Sequence, residues 1–401
     1  MSSLDQDIAN LRHLQSDASE PGQRAGLAVL QSRKLRRAGL FGPARAVLEA
    51  EYRAGSRDPH LLRSLGLERF RAGDIRGGLG LYDEGRWQLD SFEKYRRPFV
   101  APTWAGQPLE GKRILVWGEQ GIGDQVMQAR LLPDLLARGA EVTVEIDHRL
   151  PDLLTVSDQI DAHPQLEVPP PALINATFDF QTSMLSGWRY ARNPLAHARI
   201  LAPDQNLVAR YKSVWDKMGP AKNVGLSWQS RAKETGADRS VDPGLLRPIA
   251  RQEGARFHSL QYGEVDGNQI AGQFGAPVLI DASSDPLTDL TRQIAQLAAL
   301  DLVITIDNAT AHLAGALGVP CWVLLPKASE WRWGMPGQPT PLYPSVRSFR
   351  SDDTAHWASA LLPLFTAFQD FVMPRPETIM KDPRVASIRF ARGLDRPSPS
   401  R

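Results

Sequence analysis

The sequence predicts an α/β protein with two doubly wound domains facing each other across a cleft, preceded by a helical segment. Three observations predict it. Apolar strand-like runs alternate with helix-like runs in two successive series, the pattern of parallel sheets covered by helices. Glycine-rich or polar turns follow key strands, at residues 120–124 and 307–310. Near the start of the chain a 34-residue echo replaces the strand pattern and marks helical hairpins. The expected boundaries are 1–95 for the helical region, 96–205 and 206–372 for the two α/β domains, and 373–401 for a flexible tail.

In the helical region Arg37-Ala38-Gly39 recurs as Arg71-Ala72-Gly73, and the same shift pairs Val47 with Leu81 and Leu48 with Tyr82. Pro59 sits where a new helix begins. This is the tetratricopeptide period, although the usual early aromatic is missing, since Ala28 pairs with Leu62. Two copies are fewer than the roughly three needed for an independent solenoid. They should therefore lean on the following domain or on an extra N-terminal helix. The segment reads either as a protein-docking module or as a structural cap.

The first α/β series opens with the buried run 113–118, turns through Gln120-Gly121-Ile122-Gly123-Asp124, and continues as a helix to Arg138, ended by Gly139. Strands follow at 141–147 and near 178–183. The second series places strands at 223–228, 255–261, 277–281, 301–307 and 320–326, with helices at 287–300 and 354–371.

Composition narrows the function. A chain of 401 residues with 42% hydrophobic and 23% charged residues is ordinary for a globular protein of two or three domains. The net charge of +2 lacks the basic excess of a nucleic-acid binder. The single Cys321 excludes an internal disulfide and reads as a core residue. The polar N-terminus carries no signal region, and the apolar stretch 313–325 is interrupted by Gly315, Gly318 and Pro320. The expectation is a cytoplasmic protein without a transmembrane segment.

The richest segment is Asp307-Asn308-Ala309-Thr310-Ala311-His312, where a helix starts directly off an apolar strand. Such a helix points unpaired N–H groups into a crevice and suits a diphosphate. The turn at 120–124 lacks the third glycine of a dinucleotide fingerprint and the lysine of a P-loop, which argues against a dehydrogenase and an ATPase. Asp124 is there either as a plain helix cap or as a general base facing the cleft. Trp228 ends a strand before a polar loop holding Arg231, Lys233 and Arg239, either a solvated loop or a phosphate-neutralising one. Trp331 and Trp333 flank Arg332 and either stack on a ligand or pack inward. No His or Cys set has zinc spacing.

The runs Gly118-Glu119-Gln120-Gly121-Ile122-Gly123-Asp124, 304–318 and Trp331-Arg332-Trp333-Gly334 together resemble bacterial tetratricopeptide-repeat proteins whose C-terminal part is similar to the ADP-heptose:lipopolysaccharide heptosyltransferases. The resemblance implies a GT-B architecture of two facing Rossmann-like domains and a metal-independent inverting glycosyltransferase. It implies Asp124, after Gly123, as catalytic base and the run Asp307 through His312, with Asn308, Thr310 and Ala311, as the donor-phosphate motif. The reading of the residues adds Gly121, Gly123, Trp228, Arg239, Gln261 and Trp331 as donor-binding candidates. Asn308 departs from the family's Thr at that place, and an asparagine there can still cap the helix and donate a hydrogen bond. A nucleotide-diphosphate sugar would be the co-substrate, with no cofactor and no metal. A protein acceptor such as flagellin or another surface protein would dock on the helical repeats. The competing readings are a non-catalytic, nucleotide-sensing scaffold and an epimerase of the same architecture.

Overall fold

The computed structural model describes residues 3–373, apart from 175, 194, 234, 354 and 355. The expected tail from Pro374 onward lies outside the described residues. Helices α1 (Ser3–Asp17), α2 (Pro21–Arg37), α3 (Phe41–Arg53), α4 (Pro59–Arg71) and α5 (Ile75–Arg86) form the N-terminal region. Helix pairs α2–α3 and α4–α5 are the two hairpins that the 34-residue echo anticipates. The glycines of the repeated tripeptide, Gly39 and Gly73, both take left-handed φ values of 77° and 88° just past a helix end. Asp58 accepts the Leu61 N–H at 3.0 Å and Pro59 occupies the first turn, so the expected start of α4 is met. Gly66 and Gly78 let α4 and α5 touch backbone to backbone, because a Cβ on Gly66 would lie 2.7 Å from the Gly78 carbonyl oxygen.

The first α/β unit holds β1 (Arg113–Trp117), α6 (Ile122–Gln128), α7 (Leu131–Leu136), β2 (Glu141–Ile146), β3 (Asp161–Pro164), α8 (Pro171–Ile174), β4 (Phe180–Ser183) and α9 (Met184–Gly187). Its sheet is parallel in the order β3-β2-β1-β4. Two expectations change here. Strand β3 has no apolar run and borrows its pairing from β2. The single helix expected from 125 to 138 is two, because Pro133 has no N–H to give the Ala129 carbonyl, and Leu132 bonds that carbonyl at 3.0 Å instead.

The second unit holds α10 (Gln205–Asp216), β5 (Lys222–Leu226), α11 (Gly236–Arg239), α12 (Arg247–Ala250), β6 (Ala255–Ser259), α13 (Gly267–Phe274), β7 (Val278–Leu279), α14 (Thr291–Ala299), β8 (Leu302–Ile306), α15 (Ala309–Leu317), β9 (Cys321–Leu325), β10 (Val346–Arg350) and α16 (Ala358–Val372). Its parallel sheet runs β10-β9-β8-β5-β6-β7. Strand β8 is buried along its whole length, as an apolar central strand should be. Strand β10 escapes the sequence reading because Arg347 and Arg350 break its apolar pattern.

The chain thus has the α/β architecture expected of a GT-B protein, two parallel Rossmann-like sheets behind a helical region. One buried cluster runs through Phe70, Leu79 and Tyr82 of the helical hairpin, Val116 and Val126 of the first unit, and Val303, Ala311 and Tyr343 of the second. A separate core, including Val224, Phe257 and Phe368, fills the far face of the larger sheet under α16. No helix among the described residues is long and apolar enough to cross a membrane.

Two buried histidines make stability depend on pH. His258 packs 4.2 Å from the Trp215 ring, and burial with Arg256 beside it pushes its pKa down to about 3. Burial, with Arg332, Arg130 and Arg239 nearby, holds His312 well below the usual imidazole value. Both rings stay neutral in the folded chain while the unfolded chain takes up protons below pH ~6.5, so stability falls as pH falls. The slope approaches about 1.4 kcal/mol per pH unit and per ring only well below pH 6.5, so the two together cost on the order of 3 kcal/mol between pH 6.5 and 5. Melting temperature measured across that range should drop, and His258→Gln should flatten the slope. An equal slope in the variant would contradict the assignment to His258.

Candidate functional site

The two sheets meet at a cavity of about 560 Å³ lined from the first unit by residues 120–124 and Arg149, and from the second by Arg239, Tyr262, Gln293, residues 307–310, His312, Glu330 and Arg332. The wall on one side is the turn after β1. Gln120 takes a left-handed φ of 67°, unusual for a residue with a side chain. Gly121 precedes α6 in extended conformation, and Asp124 lies in the first turn of α6. Gly123 is small for a reason. A Cβ there would lie 3.0 Å from His312 Cδ2 and 3.2 Å from the Ala309 Cα, so it lets α6 and α15 cross at the domain boundary.

The opposite wall is the start of α15. Of the cap and the hydrogen bond open to Asn308, the structure shows only the second, for its side chain accepts no N–H of this helix. Its side-chain amide donates to Ser227 Oγ at 2.9 Å and accepts from Thr305 Oγ1 at 3.0 Å, tying the end of β8 to the end of β5. Its backbone N–H is committed to Ile306 O and that of Ala311 to Asn308 O. The N–H groups of Ala309 and Thr310 have no backbone acceptor outside the helix among the described residues. They form the open positive end of α15, at the cavity.

Charges of both signs line the cavity, and they are paired with one another. Arg332 donates to Asp124 Oδ1 across the domain boundary and lies 3.9 Å from Glu330. Arg239 lies 3.7 Å from Asp307 Oδ1. Burial and the neighbouring Glu330 push the Asp307 pKa up, against the pull of Arg239 and Arg332. Burial opposes the charge on Arg332, but Asp124, Glu330 and Asp307 outweigh it and hold the guanidinium protonated. His312 Nδ1 is 3.1 Å from the Tyr343 hydroxyl, which leaves Nε2 as the ring nitrogen available to a ligand. Arg149 pairs with Asp147 at 2.7 Å and donates to Pro286 O at 2.8 Å, a second link between the units.

Of the residues singled out from sequence, Gly121, Gly123, Asp124, Arg239, Asp307, Asn308, Thr310 and His312 line this one cavity. Trp228 and Gln261 line an adjoining groove, where Gln261 Oε1 accepts the Gln229 N–H at 3.0 Å and shapes the end of β5. Ala311 is fully buried and outside the cavity. Trp331 lies outside the cavity lining, buried with its ring 4.7 Å from Phe70 of α4, where it packs inward and joins the helical region to the second unit. Trp333 is likewise buried against His312. Arg332 between them is the residue that sequence reasoning passes over. Its signal is the alternation Trp-Arg-Trp, two inward rings that leave the middle side chain to point elsewhere.

No family model matches the chain. A curated relative, Protein FlbA of Caulobacter vibrioides, is 30% identical over 361 residues, a match that takes 80% of this chain and 58% of the relative. The chain therefore spans less than two-thirds of that protein's length. Among solved structures it is similar to a glycosyl transferase family 9 protein from Veillonella parvula, at 12% identity and a TM-score of 0.47, covering 61% of this chain and 88% of that one. It is also similar to the ADP-heptose lipopolysaccharide heptosyltransferase II of E. coli, at 17% identity and a TM-score of 0.44, covering 64% and 99%. These neighbours are glycosyltransferases of the kind that the three sequence motifs resemble. At such identities and scores the likeness assigns no activity to this chain.

Proposed function

We propose that the cleft binds a nucleotide-diphosphate sugar and transfers its sugar, with inversion, to an acceptor hydroxyl. The observation that carries this reading is the open N-terminus of α15 facing Asp124 across one cavity, with Arg239 and Arg332 between them. A diphosphate at the N–H groups of Ala309 and Thr310 has a helix dipole and two guanidiniums to balance its charge. Asp124 takes the proton of the acceptor hydroxyl as that oxygen bonds to the anomeric carbon. The bond from the anomeric carbon to the diphosphate oxygen breaks, and its electron pair leaves with the diphosphate. Arginines supply the positive charge for that departure, so the reaction is metal-independent in this reading. The acceptor is a protein or a glycan, and a protein acceptor docks on the helical region.

A second reading keeps the cleft but removes the chemistry. Asp124 is paired with Arg332, and while that contact holds its Oδ1 is taken up by the guanidinium. A sensing scaffold would leave that pair intact. The first experiment is a thermal-shift screen against nucleotide sugars and free nucleoside diphosphates without added metal. A ligand at a hundred times its dissociation constant should stabilise the chain by about 2.7 kcal/mol. No shift across the panel would remove the diphosphate site. A shift with no sugar transfer to any offered acceptor would favour the scaffold.

A further inference from the structure

The two loops that carry Asp124 and Arg332 are both held from behind by the second helical hairpin. Arg86, the last residue of α5, is completely buried. It donates to Glu119 Oε2 at 2.5 Å, to Asp83 at 2.8 Å and to Ser186 Oγ at 2.9 Å. Glu119 opens the turn that leads to Asp124, and its other oxygen accepts from Ser183 Oγ at 2.9 Å. Arg71, the last residue of α4, donates to the carbonyls of Ser329 at 3.0 Å and Glu330 at 3.2 Å. Those two residues lead directly into Trp331 and Arg332, and the Phe70 ring lies tilted against Trp331. One hairpin therefore grips one loop from each α/β unit, and the Asp124–Arg332 pair spans the gap between them. Arg37, the repeat counterpart of Arg71, is not buried. The repeat pattern alone therefore does not account for the burial of Arg71.

We propose that Arg71 and Arg86 are positioning residues, which set the separation of Asp124 and Arg332 and make the second helical hairpin a working part of the cleft. The geometry selects these two because planar guanidiniums can hold several acceptors at fixed angles, which a lysine ammonium cannot. The binding arm of the test rests on the diphosphate reading of the cleft, and the exchange arm does not.

The test uses the full chain with Arg71→Met, Arg86→Met, Arg71→Lys and Arg86→Lys. Hydrogen–deuterium exchange is read on peptides covering 118–125 and 327–334, and affinity for inorganic pyrophosphate is read by calorimetry. Arg86→Met leaves Glu119 buried and unpaired, which can unfold the chain, so Arg86→Lys keeps the charge while losing the fork. Of the two loops, the expected result is faster exchange, about tenfold, in 118–125 but not 327–334 for the Arg86 variants and in 327–334 but not 118–125 for the Arg71 variants, a change that a loss of about 1.4 kcal/mol in local protection produces. Pyrophosphate affinity should fall in Arg71→Lys while its melting temperature holds. Native exchange in both loops of the folded variants overturns the proposal, and so does an increase spread evenly over the chain. If the native chain binds no pyrophosphate, the diphosphate reading falls, and the exchange pattern still decides the role of the two arginines.

Discussion

Asp124→Asn is expected to fold, to bind a nucleoside diphosphate at least as tightly as the native chain, and to transfer sugar ~10²–10⁴ times more slowly. The rate loss follows from removing the carboxylate that the turn after β1 brings to the cavity. The affinity result follows from Arg332. In the ligand-free chain that guanidinium is engaged by Asp124, so a diphosphate must compete for it. An asparagine has no charge to hold it, and the arginine becomes free for the ligand. Isothermal titration with a nucleoside diphosphate reads the affinity and a transfer assay reads the rate. Native turnover in Asp124→Asn would remove Asp124 as the base. Weaker binding would mean that Arg332 does not exchange partners.

Arg332→Met should do the reverse to affinity. A charged hydrogen bond contributes about 1.5–3 kcal/mol, so nucleoside diphosphate binding should weaken by roughly 10- to 150-fold. Methionine keeps much of the side-chain volume between Trp331 and Trp333 and should leave the packing of both rings in place. The variant also frees Asp124. Unchanged affinity in this variant would place the diphosphate elsewhere and leave the Asp124–Arg332 contact as a structural pair. The opposite signs of the two affinity changes are the sharper test, because simple damage to the cleft lowers both.

Much of the fold is legible in the amino-acid order alone. Strands β1, β8 and β9 announce themselves by buried apolar runs, and a parallel strand covered on both faces needs little else to be seen. Strands β3 and β10 do not, since their pairing partners and not their own side chains make them strands. The cavity residues on the two strand-end turns stand out because glycine and capping-type residues after a strand have few other uses. Which way Trp331 and Trp333 face stays open in the sequence, because a tryptophan's sequence neighbours do not say which surface lies beneath it. For Trp331 that surface is Phe70, more than two hundred residues away in the chain.

What the amino-acid order settles is local: element types, the helical hairpins and their left-handed glycine ends, and two polar strand-end turns, one of them at a helix start suited to an anion. These depend on backbone preferences and periodicity, which act over a few residues. The pairing of Asp124 with Arg332, the turn of Asn308 toward Ser227, and the grip of Arg71 and Arg86 on the two loops arise only in the packed molecule. Those are contacts between residues far apart in the chain. Their identity depends on which surfaces the packed core brings face to face, and no local pattern encodes that.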